Sequence, residues 1–120
     1  MSRRPIALSG FMGAGKSTAG ERLARTLGWP FVDLDAEIEV AFGRPVRAVF
    51  AEEGEAAFRA MEARLLRQAL ALPERVVALG GGTALHAASR ALLLERSTWI
   101  HMSVSVREAA RRVASAGRGH

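Results

Sequence analysis

Residues 10–17 read Gly10-Phe11-Met12-Gly13-Ala14-Gly15-Lys16-Ser17, which matches the pattern G-x-x-x-x-G-K-[ST] at every fixed position. Glycines let consecutive backbone N–H groups turn toward phosphate oxygens, and a helix that begins at the loop adds its positive dipole. Lys16 is the only lysine in the chain. Its compact charge can reach the β- and γ-phosphates of a nucleotide, and the Ser17 hydroxyl can bind Mg²⁺. The stretch therefore predicts a phosphate-binding loop.

The sequence around this loop predicts the strand and the helix that such a loop requires. Residues 5–9 are a short, largely apolar run, and residues 17–27 carry apolar side chains at helical spacing before Gly28 and Pro30. Further apolar runs at 31–34, 75–79 and 97–102 alternate with helical patterns. This alternation predicts one α/β domain over residues 1–120, with an open parallel sheet and helices on both faces.

The composition of the chain indicates which kinds of partner to expect. The chain has 120 residues, a formal net charge of +5 and no cysteine, which excludes disulfides and cysteine-ligated metal sites. No apolar run has the length needed to cross a membrane, so we expect a cytoplasmic protein without a membrane partner. The positive charge raises nucleic acid as a partner, but the arginines are spread along the chain. A small polyanion explains the charge equally well, and we expect no nucleic-acid partner.

Two aspartates lie at the end of the second predicted strand, which covers residues 31–34. Asp33 and Asp35 are the only aspartates in the chain, and residues two apart in an extended strand project to the same side. One carboxylate could hold Mg²⁺ through water, while the other could bind or deprotonate a hydroxyl. The alternative is that Asp35 is a helix N-cap and Asp33 a turn residue. Gly10, Asp33 and Gly80 all stand near carboxyl ends of predicted strands, where ligands of parallel sheets bind.

Arg59 and the run Gly80-Gly81-Gly82 are further candidates. Arg59 lies on a predicted helix over residues 55–72 and could pair with Glu55, supported by Glu62. Alternatively, its planar fork could bind a substrate carboxylate. The three glycines could form a loose turn, or they could mark a place where another molecule approaches the backbone.

Taken together, these segments resemble the shikimate kinase family. The resemblance rests on the phosphate loop through Thr18, on 31–35 and 43–45, on 53–55, on Phe58, Arg59 and Glu62, and on 79–82. It implies transfer of the ATP γ-phosphoryl group to the 3-hydroxyl of shikimate, on the route to chorismate and the aromatic amino acids. It also implies a P-loop fold of the nucleoside-monophosphate-kinase type with five parallel strands, and a monomer for chains of the full family length.

The resemblance assigns a role to each matching residue. Asp35 would bind shikimate hydroxyls and act as the base, and Arg59 would pair with the shikimate carboxylate. Asp33 and Ser17 would hold Mg²⁺. Residues 34–62 would form the substrate-binding subregion, and residues 112–120 the start of a lid. The remaining implied ligands of ATP are Gly13, Ala14, Gly15, Lys16, Ser17, Thr18, Arg112 and Arg118, and those of shikimate are Gly80, Gly81 and Gly82.

The chain departs from the family pattern at its end. Family chains continue past the lid with another strand, helices and a second substrate-binding arginine, whereas this sequence stops at His120 with four predicted strands. Such a chain is expected to bind ATP·Mg²⁺ and to turn over shikimate poorly. A nucleotide-binding module without catalysis and another small-molecule kinase of similar fold, such as a gluconate kinase, stay open as alternatives.

Overall fold

A four-stranded parallel sheet organises the chain in this computed structural model, which describes residues 3–10 and 14–102, the side chains of 14–18 excepted. The strand order is β2-β3-β1-β4, so the predicted α/β architecture is confirmed. Residues 112–120, with Arg112 and Arg118, lie outside the described residues. The elements are β1 Ile6–Gly10, α1 Ala14–Leu27, β2 Phe31–Asp33, α2 Leu34–Phe42, α3 Val46–Glu53, α4 Glu55–Leu70, β3 Val76–Ala78, a 3₁₀ turn Thr83–Leu85, α5 Ala87–Arg96 and β4 Thr98–Met102.

Helices cover both faces of the sheet because side chains alternate along the central strands. Leu8 of β1 and Val76 of β3 pack with Ala24 of α1 on one face. Their neighbours Ala7 and Val77 point to the other face, into a larger apolar cluster. That cluster takes its other buried members from α2, α3, α4, α5 and the end of β3, namely Leu34, Ile38, Val49, Phe58, Leu66, Ala69, Leu70, Leu79, Leu92 and Leu93.

The turn from β2 into α2 corrects the prediction for the two aspartates. Asp33 is the N-cap of α2, and its Oδ1 accepts a hydrogen bond of 3.3 Å from the Ala36 N–H. The strand therefore ends at Asp33, and Asp35 belongs to the first turn of the helix. The expectation that both residues lie on one extended strand is wrong, as is the assignment of Asp35 as N-cap. The reason is that the Asp33 side chain satisfies an N–H of the first helical turn directly at the strand end.

Helices α2, α3 and α4 are joined by two short, tightly bonded connections. Glu39 of α2 accepts a hydrogen bond of 2.8 Å from the Val46 N–H and so caps α3, where Pro45 offers no side-chain acceptor. Arg44 binds Glu53 at 2.6 Å and also Glu52. Its hydrogen bonds to Glu53 first, and then to Glu52, raise the pKa of Arg44 above its ordinary value. Residues 34–62, which the resemblance assigns to the substrate-binding subregion, thus form a packed helical unit beside the sheet.

Gly10, the last residue of β1, is held against the edge strand β4. Its φ is +143°, and a side chain there would collide with the backbone carbonyl of Met102. The preceding Ser9 hydroxyl accepts a hydrogen bond of 2.7 Å from Trp99 Nε1 and lies 3.0 Å from His101 Nδ1. The strand that leads into the phosphate loop is therefore tied to β4 by its backbone and by a buried hydroxyl.

We predict that Gly10→Ala lowers the free energy of unfolding by about 3 kcal/mol or more, because strained backbone and a collision with a paired strand add together. Gly28→Ala is the control. Gly28 also has a positive φ, +72°, but open space around it. The substitution Gly28→Ala should lower the free energy of unfolding by only about 1–2 kcal/mol. Urea unfolding without nucleotide measures both, and equal losses would contradict the proposed collision.

Candidate active site

Three strand ends lie side by side at the carboxyl edge of the sheet. β3 pairs with both β2 and β1, so the ends at Asp33, Ala78 and Gly10 are neighbours. The Leu79 N–H donates to the Leu8 carbonyl at 2.9 Å, which keeps β3 beside β1 up to the glycine run. This edge collects the start of α1, the start of α2 and the turn after β3 in one place, where parallel sheets bind ligands.

Gly80, the first glycine of the run, lacks the side chain that would collide with Asp35. The carboxylate oxygen Oδ1 of Asp35 occupies the position where a side chain on Gly80 would stand. Gly80 does not have a positive φ, so the requirement here is for space and not for an unusual backbone conformation. Asp35, although placed on α2 and not on a strand, thus reaches the turn after β3 by close contact with its backbone.

Gly82, the third glycine of the run, likewise lacks the side chain that would collide with Arg59. A Cβ on Gly82 would lie 2.7 Å from Arg59 Nη2, and the φ of Gly82 is an ordinary −110°. Sequence reasoning expected another molecule to approach this backbone, and in the described residues the approaching groups belong to the chain itself. Gly81, between the two contacts, is exposed. The turn therefore brings Asp35 and Arg59, which are far apart in the sequence, to one surface.

Glu62, and not Glu55, is the ionic partner of Arg59. Arg59 Nη1 donates to both carboxylate oxygens of Glu62, at 2.9 and 3.0 Å. The side chain of Glu62 is 1% exposed, that of Arg59 is 21% exposed, and Glu55 is exposed. Glu55 was the partner expected from helical spacing, with Glu62 in support. Packing decides the choice, because Glu62 lies on the buried stripe of α4 with Phe58 and Leu66.

That buried stripe also differs from the predicted one. Helical spacing over residues 55–72 predicts an apolar face of Phe58, Met61, Leu65 and Ala69, but Met61 and Leu65 are only half-buried in the structure. The buried residues are Phe58, Glu62, Leu66, Ala69 and Leu70. A carboxylate at the centre of such a stripe is the signal that sequence reasoning missed, because a buried charge requires dedicated partners.

The guanidinium of Arg59 is framed by two aromatic rings. Its Cζ lies 5.6 Å from the centre of the Phe50 ring and 5.1 Å from that of Phe58, within the range of cation–π attraction. Nε is buried and has no hydrogen-bond partner among the described residues. Since Nη1 is bound to Glu62, a planar acceptor would have to bind the other edge of the guanidinium, which is formed by Nε and Nη2. A carboxylate is the acceptor that such a fork matches.

The hydroxyl of Thr83 completes the surroundings of Glu62. Thr83 Oγ1 donates a hydrogen bond of 2.7 Å to Glu62 Oε2, and Thr83 is fully buried. From the sequence alone, the position of Thr83 directly after the glycine run predicts the start of a helix. The residue in fact begins the short 3₁₀ turn Thr83–Leu85, and α5 begins later, at Ala87.

The nucleotide half of the predicted site is described through its backbone. The helix α1 begins at Ala14, earlier than the expected residue 17, and includes the backbone of Gly15, Lys16, Ser17 and Thr18. Gly13, Arg112 and Arg118 lie outside the described residues. A helix that starts directly after a central strand, with Gly10 at the junction, is the arrangement that binds phosphate groups.

The described residues offer one carboxylate to a magnesium ion of the kind that accompanies nucleotides. They contain no group of three His, Cys, Asp or Glu side chains that could hold a metal alone. Mg²⁺ in kinases needs only one or two protein oxygen ligands, since phosphates and water supply the rest. Asp33 stands at the end of β2, which pairs with β3, so one carboxylate is present at this edge of the sheet.

The parallel sheet and its flanking helices define a P-loop fold of the nucleoside-monophosphate-kinase type. Among solved structures, the chain is similar to a shikimate kinase from Acinetobacter baumannii in complex with shikimate, with a TM-score of 0.83, 34% identity, and coverage of 98% of this chain and 65% of that one. It also shares the fold of a gluconokinase from Sinorhizobium meliloti, with a TM-score of 0.57 at 23% identity, covering 98% of this chain and 66% of that one.

The family follows from the sequence comparisons. The family described as Shikimate kinase matches residues 12–118, and the chain belongs to the shikimate kinase family. It is 45% identical over 111 residues to a shikimate kinase of Caulobacter vibrioides, covering 92% of this chain and 56% of that protein. It is 47% identical over 112 residues to that of Streptomyces coelicolor, covering 93% and 65%. The chain thus spans between about half and two thirds of these relatives.

We predict that Glu62→Ala lowers the free energy of unfolding by about 3 kcal/mol, because it leaves the partly buried Arg59 charge and the Thr83 hydroxyl without their acceptor. Glu52→Ala is the matched control. Glu52 also pairs with an arginine, but its side chain is 56% exposed and water replaces the partner. Chemical denaturation followed by circular dichroism should show a much smaller effect for the control. Similar losses in both variants would mean that the buried pair does not stabilise the fold.

Proposed function

We propose that the chain takes part in the transfer of the ATP γ-phosphoryl group to the 3-hydroxyl of shikimate, on the route to chorismate and the aromatic amino acids. One observation supports this most directly. Asp35 and Arg59 contact Gly80 and Gly82 of the same turn, at the edge of the sheet where the helix after the phosphate loop begins. A carboxylate base and a carboxylate-binding fork on one surface suit an acceptor that carries both a hydroxyl and a carboxylate.

The acceptor would be held by the helical subregion 34–62 and by the glycine turn. Arg59 would bind the shikimate carboxylate through the edge that Glu62 leaves available, in a bidentate, charge-assisted contact. Asp35 would accept hydrogen bonds from the hydroxyls of the ring and fix the reacting oxygen. The backbone of Gly80, Gly81 and Gly82 would lie against the acceptor, and Gly81 is exposed there.

The donor would be held by the phosphate loop and the first turn of α1. ATP is the implied donor for a member of a kinase family. Its phosphates would contact the loop residues Gly13, Ala14, Gly15, Lys16, Ser17 and Thr18. Arg112 would contact the adenine, and Arg118 would bind ATP from the lid. Ser17 and Asp33 would hold Mg²⁺, which neutralises charge on the phosphates when it is bound.

The transfer itself needs one base and good alignment. The 3-hydroxyl oxygen forms a bond to the γ-phosphorus, and the bond from that phosphorus to the β–γ bridging oxygen breaks, so that ADP leaves. Asp35 takes the hydroxyl proton, and Lys16 stabilises the charge on the transferred group. Since phosphoryl transfer depends on positioning and on charge stabilisation, the two sets of residues must act together.

The wider setting of the protein is part of the same proposal. Within the described residues, no helix has the length and apolar character needed to span a bilayer. We propose one kinase domain over residues 1–120 in the cytoplasm, with residues 112–120 at the start of a lid, and a monomeric state for the full-length form of the family. A small-molecule acceptor would be its partner, rather than nucleic acid or a membrane.

We predict that Lys16→Ala weakens ATP binding by at least about tenfold, as expected when a charge-assisted contact to phosphate is lost. Lys16→Arg should not restore it, since a planar fork does not fit the space of a compact ammonium group. Arg25→Ala, on the exposed last turn of the same helix, is the control for loss of positive charge. Calorimetric titration with ATP·Mg²⁺ measures all three. Unchanged affinity in Lys16→Ala would refute the phosphate-loop assignment.

We predict that Arg59→Ala and Arg59→Lys each raise the Kd for shikimate by about 10- to 100-fold, because both lose the bidentate contact. Affinity for ATP should stay the same. Arg64→Ala removes an exposed arginine of the same helix and should alter neither constant. Titration with shikimate and with ATP separates the effects. If Arg59→Lys binds shikimate as the parent does, the fork does not recognise the carboxylate.

A further inference from the structure

The buried hydroxyl of Thr83 is a polar group that the proposed reaction does not use. It sits directly after the glycine run, in a turn closed by hydrogen bonds from the Thr83 N–H to the Gly80 carbonyl at 3.4 Å and from the Leu85 N–H to the Gly82 carbonyl at 3.1 Å. Thr83 has no exposed surface. Its position is therefore fixed relative to the two glycines that contact Asp35 and Arg59.

The only acceptor of this hydroxyl among the described residues is the carboxylate that also binds Arg59. Thr83 Oγ1 donates to Glu62 Oε2 at 2.7 Å, and Arg59 Nη1 donates to Oε1 at 2.9 Å and to Oε2 at 3.0 Å. Hydrogen bonds to an ionised carboxylate are stronger than neutral ones. The hydroxyl thus joins the turn after β3 to α4, across a carboxylate that is itself 1% exposed.

This arrangement controls the plane of the Arg59 guanidinium. One nitrogen, Nη1, meets both oxygens of Glu62, so rotation of the carboxylate carries the guanidinium with it. The Thr83 hydroxyl opposes that rotation, because it binds one of the two oxygens from the side of the turn. The same rotation would move Nη2 away from its contact with Gly82.

We propose that Thr83 is a positioning residue: through Glu62 it fixes the fork of Arg59 against Gly82 and so sets the affinity of the site for the carboxylate of the acceptor. The proposal rests on the proposed function for the identity of the ligand, shikimate. It does not require Thr83 to touch the ligand, and it predicts that the effect of Thr83 passes entirely through Arg59.

The test compares variants of the full 120-residue chain. Thr83→Val keeps the shape and removes the hydroxyl, Thr83→Ala removes it with less bulk, and Thr83→Ser retains it. The Kd for shikimate should rise about tenfold in Thr83→Val and Thr83→Ala, because a misaligned Arg59 fork loses part of its charge-assisted contact with the carboxylate. It should stay near the parent value in Thr83→Ser. The Kd for ATP·Mg²⁺ should be unchanged in all three. If Thr83→Val does not fold, the comparison of Ala with Ser decides.

A double-variant cycle separates positioning from a general structural role. In the Arg59→Ala background, Thr83→Val should change shikimate affinity no further, because the residue through which it acts is gone. A full tenfold loss in that background, or parent-like affinity in both Val and Ala, would overturn the proposal.

A second readout does not depend on shikimate. The Nε–H signal of Arg59 in a ¹H–¹⁵N spectrum of the ligand-free protein should shift or broaden in Thr83→Val and Thr83→Ala. In Thr83→Ser it should keep its position. If the parent does not bind shikimate, the proposed function fails, and this signal still decides whether Thr83 fixes the guanidinium. An unchanged signal in both hydroxyl-free variants would overturn the inference.

Discussion

The carboxylate of Glu62 imposes the constraint on which the rest of the site depends. A charged group that is 1% exposed is stable inside a protein only when donors surround it, and here they are an arginine of its own helix and a threonine hydroxyl from beyond the next strand. Because these donors come from different elements, satisfying one buried charge also fixes how α4 packs against the turn after β3. The orientation of the Arg59 fork follows from the same bonds.

The order of the strands explains how two separate parts of the chain make one site. β3 lies between β2 and β1, so the turn that follows it stands between the start of α2 and the start of α1. The first of these helices brings Asp35, and the second follows the phosphate loop. The turn after β3 therefore lies between the proposed acceptor and donor halves of the site.

Local patterns were enough to predict the sheet, its helices and the edge at which the glycine run and the aspartates meet. The reason is that the periodicity of a strand or a helix depends only on the residues of that segment. They were not enough for contacts between segments. Asp33 and Asp35 have the same intrinsic preference for an N-cap, and Glu55 and Glu62 both have a helical spacing to Arg59. In each case tertiary packing selected the residue. The contacts of Gly80 and Gly82 with side chains from α2 and α4 lie beyond any local pattern.

The two glycine contacts also restrict the mutational paths that are open to this sequence. A side chain at position 80 would displace Asp35, and one at position 82 would displace Arg59, although neither glycine has a strained backbone. The fitness effect of a change at either glycine therefore depends on a residue more than twenty positions away. Such pairs are epistatic: a larger residue at 80 or 82 becomes acceptable only after its partner has been replaced, and that first replacement removes a group of the candidate site. Single-step evolution should keep both glycines for as long as the carboxylate and the guanidinium are under selection.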